Sequence, residues 1–264
     1  MNNTTPSGLT DPRRAARAPG VALGLVYTLG VMTQILAAQE SRSMAENDTS
    51  TPHSDTLDDR QRSIVPIAAF AAAGDIAVLN RAINQGLDAG LTISEAREVL
   101  VQLYAYAGFP RSLNALGELM KVVQARKQQG IVDQPGRGPG KSIPKGDELL
   151  AAGTANQTRL SGAPVEGALF DFAPVANEYL RTHLFGDIFE RDNLDWQSRE
   201  IATVAMLSAL EGVAPQLQAH IRIAMNTGVT PQQLRQLIRV LAEQVSADAS
   251  RRASEALELH LAAK

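Results

Sequence analysis

Cysteine is absent from the 264-residue chain. Its absence excludes disulfides, thiolate metal sites and thiol redox chemistry, and leaves the redox compartment open. Aromatic residues are scarce, at 4%, and no stretch alternates apolar and polar residues for long, so little argues for sheets. No long basic run follows the N-terminal segment, and the net charge is only −3. Nucleic acid is therefore not an expected partner. No His, Asp or Glu cluster has ligand spacing such as His-Glu-x-x-His, so no metal is expected. What remains is rich in Ala, Leu, Gln, Glu and Arg, which are helix-forming residues. At 44% hydrophobic, the chain has enough apolar mass for one large domain or two small ones.

The N-terminus carries Arg13, Arg14 and Arg17 ahead of an uncharged run from Ala18 to Gln39, with small residues at Ala37 and Ala38. A basic start, an apolar middle and small residues before a cut resemble a secretory signal, assigned here to residues 1–38. The Arg13–Arg14 pair adds a twin-arginine hint. Two other readings stay open. One is an uncleaved anchor, for which Gly20, Gly24, Gly30 and Gln34 make a poor span. The other is translation from Met44, which would leave a cytoplasmic protein. Export gives a periplasmic or secreted protein with no stable membrane insertion after cleavage. Residues 39–56 are rich in Ser, Thr and Asn and are expected to be a disordered lead-in.

Residues 128–149 carry the Gly and Pro of a linker. They include GRGPGKS, which invites a phosphate-loop reading. That motif needs Gly where Pro135 stands and a strand before it, and neither is present. The chain thus divides into a first helical repeat at 57–127 and a second at 150–264.

The repeats are legible residue by residue. Arg62 aligns with Arg199 at an offset of 137, and Gly90 with Gly228 at 138, so one residue is inserted in the second copy's turn. Duplication of a unit that packs on itself accounts for this. Gly90 and Gly228 suit the left-handed end of a helix. Thr92 with Glu95, and Thr230 with Pro231, suit the start of the next one. Apolar residues at helical spacing follow in both copies: Ala96, Val99, Leu100 and Leu103, then Leu234, Leu237, Ile238 and Leu241. Pro174–Glu190 reads as a further amphipathic helix, with Leu180, Leu184 and Ile188 on one stripe. The expected fold class is all-α, built of tandem helical hairpins.

The stretches RSIVPIAAFAAAG and YAGFP in the first copy, and REIATVAML and HIRIAMNTGVT in the second, resemble the carboxymuconolactone decarboxylase family with its alkylhydroperoxidase D-like fold. The resemblance implies small all-α subunits assembled as homo-oligomers, trimers or hexamers, with sites at helix or subunit interfaces. It implies two chemistries. The peroxidase branch uses Cys-x-x-Cys with His four residues beyond; matching that His to His220 places the cysteines at Val213 and Gln216. An antioxidant role of the peroxiredoxin type thus lacks its thiols. The decarboxylase branch needs no cofactor, and implies a small carboxylated lactone or cyclic acid as substrate.

The copies are unequal. The second keeps Glu200 and His220, where the first has Ser63 and Ala82. The first keeps Tyr104 and Tyr106, and the second has Glu243-Gln244-Val245-Ser246 near where that aromatic segment would fall. One composite site per chain, or per subunit interface, is expected. The sequence points to His220 as proton donor and Glu200 as its orienting carboxylate. Tyr104 or Tyr106 would donate to an enolate oxygen. Arg222 would bind an anionic group, although residues two apart on a helix do not share a face. A turn centred on Val213 would leave Glu200 and His220 about 9 Å apart along their axes, so their contact demands a displaced turn or a kink. The competing function is a non-catalytic helical oligomer that binds rather than reacts.

Overall fold

The protein is described from a computed structural model covering Asp55–Ala263. The stretch read above as a secretory signal and the lead-in before Asp55 lie outside the described residues.

The first copy opens with α1 (Asp59–Ala73), where Asp58 accepts from the Gln61 N–H and Gln61 answers to the Asp58 N–H. Helix α2 (Ile76–Asp88) is capped by Asp75, and the chain leaves it through Gly90 at φ +89°. Helix α3 (Ile93–Gln102) starts at Thr92, whose hydroxyl and Glu95 form the expected capping box. A single turn, α4 (Tyr104–Ala107), and the long α5 (Phe109–Gln128) complete the copy.

Three helices come next: α6 (Asp147–Ser161), α7 (Ala168–Phe172) and α8 (Pro174–Tyr179). Helix α8 does not continue to Glu190 as an α-helix; Leu180–Ile188 is wound as a π-helix. Its i to i+5 hydrogen bonding widens the turn, so residues four and five apart share a face. Leu184, Phe185, Ile188 and Phe189 accordingly all bury against Leu160 and Ile223 in a small second core. Gly153 on α6 lies against the backbone of this segment, where any Cβ would overlap the Arg181 carbonyl oxygen.

The second copy consists of α9 (Trp196–Ala209), α10 (Ala214–Asn226), α11 (Pro231–Val240) and α12 (Ala247–Ala262), with a short π-turn at Leu241–Val245. Gly228 takes φ +97°, and Thr230 caps α11 in a capping box completed by Gln233. Element ends repeat at an offset of 138: Ile76 with Ala214, Asp88 with Asn226, Ile93 with Pro231, and Gln102 with Val240. The all-α, tandem reading therefore holds, and no strand occurs among the described residues.

The two copies meet through α1 and α9. Every residue from Ile64 to Ala72 is buried, and so is every residue from Ser198 to Ser208. A helix buried on all faces belongs at the centre. Ala68, Ala69, Ala72, Ala202 and Ala205 keep both rods thin, and the remaining helices wrap them.

The linker is pinned rather than loose. The first free N–H groups of α3, on Ile93 and Ser94, donate to the carbonyls of Gln134 and Pro135. Arg126 at the end of α5 grips Asp133 with both carboxylate oxygens, at 2.8–3.0 Å. The GRGPGKS stretch is also held, with the Gly140 N–H donating to Asp192 at 2.6 Å.

Candidate functional site

Helix α9 presents Glu200 and α10 presents His220, and the pair meets: His220 Nδ1 lies 2.8 Å from Glu200 Oε2. The expected 9 Å offset fails because the turn is centred near Glu211 and Gly212, not Val213. Helix α9 stops at Ala209, and Gly212 turns the chain at φ +77°. That shift leaves about three residues, or roughly 4–5 Å, which crossing helices and two side chains span. No kink is needed.

Both groups are buried, Glu200 completely and His220 to 7% exposure. Oε1 of Glu200 has no hydrogen-bond partner among the described residues. His220 uses Nδ1 for Glu200, and Nε2 has no hydrogen-bond partner among the described residues. A carboxylate on Nδ1 fixes the ring orientation and its tautomer.

Tyr106, from the opposite copy, packs edge-on to the His220 ring, with centroids 5.3 Å apart and planes at 82°. The residue as a whole is half-buried, and its hydroxyl is buried without a well-formed hydrogen bond. Burial, reinforced by the Glu200 charge, raises the phenol pKa well above 10, against weaker opposing effects of Thr203 and Arg199. Tyr106 is thus a neutral donor near the imidazole. The composite arrangement expected from the unequal copies is present in this one respect: the first copy's Tyr106 covers the second copy's His220.

The other sequence-derived candidates fall elsewhere. Tyr104 stacks flat on Phe109, at 4.5 Å, in the small second core. Burial and the nearby Asp187 raise its pKa. Arg222 is exposed, two residues and about 200° around α10 from His220, so it does not reach the buried pair. Val213 and Gln216, where the peroxidase branch has its thiols, are respectively half-buried and exposed. His183 is an exposed neighbour of Asp187. His260 lies on α12.

The sequence reading missed a buried ion cluster beside the pair. Glu98 on α3 takes Arg191 through both oxygens, at 2.6–3.2 Å, and Arg199 at 3.1 Å. Burial alone would raise the Glu98 pKa. Hydrogen bonds from Arg191 and Asn193, and then the charge and hydrogen bond of Arg199, outweigh it and hold the group at about 2. Gln102 completes the cluster by donating to the Arg199 carbonyl and to Thr203 Oγ1. The signal was present as a polar stripe: Ser94, Glu98 and Gln102 recur every fourth residue on α3, and Arg199 and Thr203 do so on α9. Glu200 therefore sits one residue from a buried guanidinium that is itself anchored to the other copy.

A tandem all-α protein with a buried carboxylate–imidazole pair at the junction of its halves is the class that this geometry defines. The Carboxymuconolactone decarboxylase family profile matches residues 41–120 and 174–259, and the chain belongs to that family. It is also similar to an uncharacterized protein of Methanocaldococcus jannaschii, 30% identical over 66 residues. That match covers 25% of this chain and 62% of the relative's length.

Proposed function

We propose that the protein is a cofactor-free carboxy-lyase acting on a small carboxylated lactone or cyclic acid, with His220 as the proton donor. The observation that carries this reading is the buried 2.8 Å contact between His220 Nδ1 and Glu200, which leaves Nε2 uncommitted. In the reaction the substrate carboxylate departs as carbon dioxide. The bond's electron pair moves into the conjugated lactone carbonyl, giving an enolate. The Nε2 proton of the imidazolium then passes to carbon, and Glu200 holds the ring in place and offsets its charge. Neutral Tyr106 donates a hydrogen bond to the enolate oxygen. Export would place this activity in the periplasm, in a homo-oligomer.

Purified protein screened against carboxylated lactones should release carbon dioxide. His220→Ala should lower that release by about 10²-fold or more while thermal unfolding stays cooperative. Turnover undiminished in this variant would remove His220 from the mechanism.

A second reading, a non-catalytic oligomeric binding protein, has its own support. Four clefts that open among the described residues are lined by other side chains than Glu200, His220 and Tyr106. Exposed apolar residues Phe109, Leu113 and Met120 on α5 are suited to contact with another subunit. No carbon dioxide release from any lactone acid, together with a stable oligomer in sedimentation, would favour it.

A further inference from the structure

The offset that relates the copies also relates two sites, and the second one is a hole. At the 137 and 138 offsets, Glu200 corresponds to Ser63, His220 to Ala82 and Tyr106 to Gln244. Thr203 corresponds to Pro66 and Gln102 to Val240. All five of these counterparts line one cleft of about 820 Å³ between α1, α2 and the end of α11. Where the second site has three large side chains, the first-half positions carry a serine, an alanine and an exposed glutamine, and the space between them is open.

The charge around the cleft has changed in a definite direction. Arg62 is the counterpart of the buried Arg199, but Glu98, which neutralises Arg199, corresponds to Gln236. Gln236 has no charge to offer and accepts instead from the Leu57 N–H at 2.7 Å. Arg62 consequently turns outward, half exposed, and pairs at the rim with Asp59. Two further arginines join it in the lining, Arg81 on α2 and Arg239 on α11, and neither has an ion pair among the described residues. They stand where the second site has Ala219 and Val101. Against these three cations the cleft has two acids, Asp59 and Glu243. The floor beneath them is apolar: Pro66, Phe70, Val78 and Ala82. An apolar floor bordered by guanidinium groups suits a small organic anion.

We propose that this first-half cleft is a binding site for a small organic anion. Its carboxylate is held by Arg81 and Arg239, and its compact apolar body rests on Phe70, Val78 and Ala82. The cleft has neither the imidazole nor the carboxylate of the other half, so it binds without reacting. Each chain then has two related sites of different kinds, a chemical one at Glu200–His220 and a receptive one at Ser63–Ala82. The inference does not depend on the lyase reading.

Isothermal titration of the full chain with benzoate, an anion with a compact apolar body, tests it. One benzoate should bind per chain. The double variant Arg81→Gln/Arg239→Gln should weaken binding at least tenfold while thermal unfolding is unchanged, since both side chains are exposed. His220→Ala should leave the affinity within about twofold, which separates this site from the proposed lyase site. The proposal is overturned by no benzoate binding to the wild type, by equal affinity in the double variant, or by loss of binding in His220→Ala. It is also overturned if the double variant dissociates an oligomer in sedimentation, because the arginines would then face a second copy of the chain.

Discussion

At the scale of single residues, Glu98 exerts more control than its position in the sequence suggests. It is the one acid bridging Arg191 and Arg199, and Arg199 is wholly buried. Removing the acid leaves a buried charge without its counterion, the costly way to break such a pair. Glu98→Gln should therefore destabilise the protein by about 3 kcal/mol or more at neutral pH, read from urea unfolding. The pH dependence has a definite sign. Folding lowers the Glu98 pKa from 4.5 to about 2. The contribution is thus complete above about 4.5 and drains away as pH falls towards 2. The gap between wild type and Glu98→Gln should shrink over that window. A gap that stays constant from pH 6 to pH 3 would mean that the group is not ionised in the fold. Glu200 and His220 were legible in the sequence because they stand out in type. Glu98 was not, because an acid on a helix is ordinarily a solvated one, and only its register with Ser94 and Gln102 marks it as inward-facing.

At the scale of elements, the start and stop signals were read correctly because they are local. Thr92 and Thr230 cap as their sequences predict, and Gly90 and Gly228 take positive φ. Two elements were read differently from how they fold. The Leu180–Ile188 stretch winds as a π-helix, for which a four-residue apolar stripe is no warning. The turn after α9 comes earlier than the pattern implies, because Leu210 is already extended and Gly212 is left-handed. The join between α6 and the π-segment depends on Gly153, whose missing Cβ leaves room for the Arg181 carbonyl. Gly153→Ala should force the two backbones apart and cost about 1–3 kcal/mol, seen as a lower urea midpoint with an unchanged slope. A midpoint equal to wild type would show that the contact is looser than described.

At the scale of the whole molecule, duplication and divergence were visible in the sequence, whereas the way the copies embrace was not. An offset tells which residues correspond; it does not tell that Tyr106 crosses over to cover His220. Nor does it reveal that the linker is tied down by Arg126, Asp133 and the first turn of α3. The proposed export of the chain is tested at this scale. Mass spectrometry of protein isolated from its native cell should show an N-terminus close to Gln39, and an intact Met1 would count against cleavage.

The central pair of helices carries a consequence for how such a protein can be divided. Neither α1 nor α9 has a polar side of its own between Ile64 and Ala72 or between Ile201 and Leu207, apart from Thr203. A gene fragment encoding one half would leave bare the side of its rod that the other half covers, and would be prone to clump in the cell. Expressed together, the two fragments should find each other, since each supplies the apolar face that covers the other's rod.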